Sequence, residues 1–211
     1  MPEPTTLPES FTDCQDPLIT GQVEEGSAAY YAKDYTSATS ILLRVAHDPV
    51  AQCFLGLTYL DDPSRMAMRE VGWERLTASA EAGFEYAWYA LANRYLELDK
   101  STHNLQQASR WFLKGAELGC ISSQYSLGWC LCNLEDYLEA TKWLCLAVAL
   151  GNTNAQGLFE SVAVNLKPGE WEHGHTLALE WLDLKERGPV ERYHGALQAY
   201  CGKTPLSPEN V

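Results

Sequence analysis

The chain lacks a run of apolar residues long enough to span a bilayer, which needs about 20 of them, so no membrane span is expected. Its first ten residues, Met1 to Ser10, have neither a basic start nor an apolar core, so they do not read as a secretory signal peptide. Basic residues are scarce, with 15 Lys and Arg against 28 Asp and Glu, giving a formal net charge of −13. Nucleic acid and anionic membranes are polyanions, so this balance argues against both as partners and favours a protein with a basic surface. The seven cysteines form no even, regularly spaced framework. Cys53, Cys120, Cys130 and Cys145 fall where helices are expected to pack, so they read as reduced, buried small residues in a cytoplasmic protein. No nucleophile elbow, phosphate-binding glycine loop or His-Glu-x-x-His helix occurs.

What is present is internal repetition. Gly56, Ala92 and Gly128 recur at steps of 36 residues, and so do Gly83 and Gly119, with Gly151 following after 32. A period of this size signals stacked helical hairpins. Leu55, Leu91 and Leu127 precede the small residues, and Tyr59, Tyr95 and Leu131 stand four positions on, the spacing of one helical face. A mid-helix glycine costs about 1 kcal/mol against alanine. Close approach of two helix backbones at Gly56, Ala92 and Gly128 is the compensation expected. Gly83, Gly119 and Gly151 suit the left-handed residue that closes a helix, and Gly188 is expected to do the same. Ala82, Leu118 and Leu150, just before three of these glycines, are expected to face inward.

The segments Ala108–Gly119 and Ser122–Gly128 carry this pattern most fully, with weaker copies at 74–83 with 87–92 and at 141–151 with 154–156. On these residues the chain resembles the Sel1-like repeat family, relatives of the tetratricopeptide repeat, over roughly residues 20–200. It departs from the family pattern where Ala92 replaces the usual glycine and Glu160 stands opposite Gly128. The cysteine pairs of some secreted members are missing too. The resemblance implies an all-α, right-handed α-solenoid of antiparallel hairpins, about five repeats plus a capping helix.

In chain order, residues 1–17 hold four of the ten prolines and read as an irregular arm. Residues 18–201 read as one repeat domain and 202–211 as a tail. Helical pattern starts near Gly21. Gly26, Asp34, Tyr35 and Ala38 match Gly128, Asp136, Tyr137 and Ala140 at a constant offset of 102, so hairpins one and four should share a tight turn before Tyr35 and Tyr137. Pro49 suits a helix start. A longer link is expected over 61–71, a turn over 98–102, and a loop at 167–170. Helices are expected over 172–187 and 190–200, broken by Gly188-Pro189.

Two motifs invite chemistry. His173 and His175 beside Glu172 could ligate zinc, yet a spacing of two places them on different helix faces. Cys130 and Cys132 are one residue apart near a helix C-terminus, where the dipole disfavours thiolate. The expectation is therefore no metal, no cofactor and no enzymatic activity; a hydrolase using the histidines is the least favoured reading. In tetratricopeptide-like stacks the first helix of each hairpin lines the concave groove. The resemblance thus implies groove positions at Tyr30, Tyr31, Tyr86, Tyr89, Asn93, Tyr125, Trp129 and Asn133, with Val23, Ser27, Cys53, Leu57, Leu60 and Glu97 on the same line. Aromatic rings supply contact area at low entropic cost, and Asn can bond a peptide backbone. The expected function is a protein-interaction module, an adaptor, assembly factor or regulator, that binds another protein or peptide as a monomer or weak dimer. An inhibitor or immunity protein that neutralises a toxin is the alternative, and a self-associating structural oligomer a third reading.

Overall fold

The computed structural model describes residues 17–184. The expected arm (apart from Pro17), Gly188-Pro189, the helix over 190–200 and the tail lie outside them. The described residues form ten α-helices joined by turns and two 3-10 segments, with no strand among them. The chain divides between Leu91 and Ala92 into two compact units.

The first unit holds α1 (Pro17–Tyr31), α2 (Tyr35–Leu42), α3 (Pro49–Asp61), α4 (Arg69–Glu81) and the start of α5 (Glu85–Leu98). A proline at the first helical position starts both α1 and α3, where its missing N–H costs nothing. Helix α1 therefore begins four residues earlier than Gly21. The buried Asp48 carboxylate caps α3 by accepting hydrogen bonds from the Val50 and Ala51 amides, at 2.8 and 3.1 Å. The long link between α3 and α4 contains the 3-10 segment Pro63–Met68. Asp62 anchors it, accepting from the Ser64 amide and hydroxyl and pairing with Arg65 at 2.9 Å.

Helices α3 and α4 meet glycine to glycine. A methyl group built on Gly56 would lie 2.8 Å from the Gly72 carbonyl oxygen and 2.8 Å from the Leu76 amide nitrogen. One built on Gly72 would lie 3.0 Å from the Gly56 carbonyl oxygen. Gly26 gives α1 the same closeness to α2, against Leu42. The expectation that a small mid-helix residue marks close approach is met at Gly56. Leu42, Leu55, Leu76 and Leu91 are fully buried around these glycines.

The second unit holds the rest of α5, α6 (Thr102–Glu117), α7 (Ile121–Asn133), α8 (Tyr137–Ala149), α9 (Thr153–Ala163) and α10 (Glu170–Leu184). Helix α6 buries Leu105, Ala108, Phe112 and Ala116, a stripe at spacings of three and four. Gly128 brings α7 onto Leu144 of α8, and Gly174 brings α10 onto Thr141 of the same helix, where an added methyl would come within 2.6 Å. The Trp143 and Trp181 rings meet edge to face at 5.7 Å, and the Phe159 and Trp171 rings at 4.7 Å.

The helix ends follow two local designs. Gly83, Gly119 and Gly151 adopt φ of +93°, +86° and +85°, as the spacing predicts. In each, the amide after the glycine bonds back five residues, for example Phe84 to Ser79 and Cys120 to Gly115. The Asp34 and Asp136 turns use the same bonding without glycine: Lys33 (φ 61°) and Glu135 (φ 62°) hold the left-handed position.

Two expectations fail. Ala82 and Leu118 do not face inward: both are exposed, Leu118 by 61%, and Leu150 is half-buried. Each of the first two stands two residues past a buried alanine (Ala80, Ala116), a turn of about 200° around the helix to the opposite side. Cys120 is exposed, not buried, because it forms the short surface link before α7 instead of a packed helix face. Cys53, Cys130 and Cys145 are buried as expected.

Candidate functional site

Tyr30 and Tyr31 end α1, and Tyr86 sits in the first turn of α5. The structure brings these three around Phe54 of α3, which is 1% exposed. Tyr30 and Tyr31 each place their ring centroid 5.7 Å from that of Phe54. Tyr86 stacks on Phe54 at 5.8 Å and 21°, and Phe84 lies 6.1 Å beyond it. Tyr30 and Tyr31 meet edge to face at 5.4 Å. All three tyrosines are half-buried, so one part of each ring packs on Phe54 and its neighbours while another part stays open. The Tyr30 hydroxyl donates to Oδ2 of Asp61 at 2.7 Å, which sets a carboxylate at the end of α3 beside the rings. Tyr89 is one turn further along α5 and half-buried.

In the second unit, Tyr125 and Trp129 are half-buried and four residues apart on α7, on one helical face. Lys100, from the turn before α6, stands over the Trp129 ring with Nζ 5.1 Å from its centroid, a cation–π contact. Asn133 is exposed at the end of α7, and its amide donates to the Trp129 carbonyl at 2.8 Å. Asn93 is half-buried on α5. The remaining positions on the expected line divide by depth. Val23, Ser27, Cys53, Leu57 and Leu60 are buried and belong to packing, while Glu97 is exposed and pairs with Arg94 at 2.7 Å.

Sequence reasoning passed over Phe54 and Asp61. Phe54 lies between the matched positions Cys53 and Leu55, and its role as the hub of the rings depends on which helices surround it. Asp61 reads in sequence as part of a turn, and only the Tyr30 hydroxyl brings it to the row.

In the two motifs with chemical potential, Cys130 and Gly174 are buried. Burial pushes the Cys130 thiol up to about 12, partly opposed by a hydrogen bond with Ser109, and pushes Cys132 up to about 11. Such thiols hold little thiolate at neutral pH. His173 is exposed and His175 half-buried, with its Nε2 enclosed and unpaired and its pKa lowered by that burial. Between them, Gly174 gives α10 its close seat on α8. Among the described residues no group of three or more His, Cys, Asp or Glu side chains is placed to hold a metal ion. Nor is any helix among them long and apolar enough to cross a membrane.

No protein-family model matches the chain, and no curated protein matches it. Solved structures do. One is a protective antigen present in uropathogenic Escherichia coli strains, displaying a Sel1-like repeat fold. It is 21% identical with a TM-score of 0.59, and the match covers 89% of this chain and 42% of that one. A point mutant of MamA, a tetratricopeptide-like protein, is 20% identical with a TM-score of 0.51, over 93% of this chain and 99% of the other. The chain thus spans less than half the length of the first of these proteins. At such identities the likeness establishes the fold: an all-α helical repeat solenoid of the Sel1-like, tetratricopeptide-like kind.

Proposed function

We propose that this chain is a non-enzymatic protein-interaction scaffold that holds a segment of another protein on the faces of its first helices. One observation carries the reading: Tyr30, Tyr31 and Tyr86 are fixed by packing on Phe54, yet remain half open. Rings already held in place lose little entropy when a partner covers them, which is how rigid aromatic anchors contribute to interfaces. Tyr125 and Trp129 offer a second, smaller pair on α7. Non-enzymatic action is supported by what the reactive side chains do, since the paired thiols are protonated and the histidines flank a packing glycine.

The test is affinity capture from native cell extract with three forms: wild type, Tyr31→Ala/Tyr86→Ala, and Tyr125→Ala/Trp129→Ala. Circular dichroism establishes that each stays helical. A partner captured by wild type and lost by either folded variant supports the proposal and assigns the unit. Equal capture by all three overturns it.

A further inference from the structure

In the second unit, Tyr125 and Trp129 of α7 and Lys100 of the turn before α6 form a cluster whose polar groups the chain leaves unused. Among the described residues, no group accepts from the Tyr125 hydroxyl or the Trp129 indole N–H, and neither atom is enclosed. Lys100 is exposed; it stands over the Trp129 ring and pairs with no carboxylate among those residues. The acids next to it in sequence are engaged elsewhere. Glu97 pairs with Arg94 at 2.7 Å. Asp99 Oδ1 accepts from the Ser101 backbone amide and from the Asn104 side-chain amide, each at 2.8 Å. Lys142 shows the same arrangement in a complete form. Its Nζ lies 4.7 Å from the Trp143 ring centroid and also 3.3 Å from a carboxylate oxygen of Glu139. At Lys100 the ring is present and the carboxylate is not.

An ammonium and an indole N–H can only donate, and a phenol hydroxyl can donate as well. A cation beside neutral donors calls for an acceptor that carries negative charge, and an ionised carboxylate is one that accepts through two oxygens. The two rings, four residues apart on one helical face, supply an apolar strip next to it. Taking the first-helix faces as protein-binding, we infer that α7 receives a partner segment with an aspartate or glutamate beside an apolar side chain, the carboxylate meeting Lys100 and the apolar group lying on Tyr125 and Trp129. The net charge of −13 repels a run of acids at long range, so the segment carries this carboxylate among neutral or basic residues.

The experiment is selection of a random twelve-residue peptide library, its C-termini blocked, on the intact chain. Only peptides that Tyr125→Ala/Trp129→Ala fails to hold are kept, and Tyr125→Ala alone takes that place if the double variant unfolds. Their affinities are then measured on wild type, Lys100→Gln and Lys100→Arg. Circular dichroism and melting temperature establish that each variant is folded. The expected result is a set enriched in Asp or Glu next to an apolar residue, bound about five-fold more weakly by Lys100→Gln and held by Lys100→Arg, which keeps the charge. A set without that enrichment, or one that Lys100→Gln binds as wild type does, would overturn the carboxylate assignment and leave α7 standing as a protein-binding face. Finding no peptide that depends on the α7 rings would overturn both.

Discussion

Replacing Gly56 with alanine tests the close seat of α3 on α4. In an exposed helix this change stabilises by about 1 kcal/mol, because alanine is the better helix former. Here the new methyl meets two backbone atoms at 2.8 Å, about 0.6 Å inside the ordinary contact limit of 3.4 Å. Neither atom belongs to a side chain that can rotate away, so the helices must part. A gap of that size forfeits a quarter or more of each dispersion contact across the seam, where Leu55 and Leu76 are fully buried. Overpacking of this kind costs about 3 kcal/mol at the upper end of its usual range, leaving a net loss of about 2 kcal/mol after the propensity gain. For a chain of this size that lowers the melting temperature by roughly 4–8 °C. Gly157, on α9, is the internal control: a methyl built there meets nothing within 4 Å. Gly157→Ala is expected to raise the melting temperature by roughly 2–4 °C. Thermal melts followed by circular dichroism read both. If Gly56→Ala melts at or above wild type, α3 and α4 do not approach as described and the argument from glycine to helix seam is wrong.

Three further outcomes are expected. Lys33→Gly and Glu135→Gly should each stabilise by about 1 kcal/mol, since both residues hold φ near +60°; a loss of stability in urea unfolding would show that their side chains contribute more than the strain removes. Toward a thiol reagent at neutral pH, Cys120→Ser should remove one fast-reacting equivalent, whereas Cys130→Ser should remove none, because burial holds the Cys130 thiol near 12. Burial lowers the His175 pKa below its usual 6.5, so the unfolded chain binds the proton more readily. Stability owed to His175 is therefore complete above pH 6.5 and falls as pH drops from there toward the folded-state value. The wild type minus His175→Gln difference in unfolding free energy should show that slope, and a flat difference would refute it.

The legible features were those whose cause is local or costly. A left-handed helix end needs a residue free of Cβ conflict, so Gly83, Gly119 and Gly151 announced their φ angles by type and spacing. A glycine in mid-helix is a standing cost, so Gly56 and Gly128 pointed to seams between helices, and the structure has seams there. Gly174 gave no such signal, because the histidines beside it drew the reading toward metal chemistry. Lys33 and Glu135 gave none either, since nothing in their residue type marks a positive φ.

By itself, then, the sequence determined the class of fold, the phase of its repeats and most helix ends, because backbone sterics and a 36-residue period act within one or two hairpins. The tertiary structure decided depth and neighbourhood. It exposed Leu118 and Cys120, buried Leu57, and made Phe54 the hub on which Tyr30, Tyr31 and Tyr86 meet. Depth depends on how far around its helix a residue has turned relative to helices distant in sequence, and a one-residue difference there moves a side chain by about 100°. The placement of Asp61 under the Tyr30 hydroxyl is of that kind, 31 residues apart in the chain and 2.7 Å apart in space.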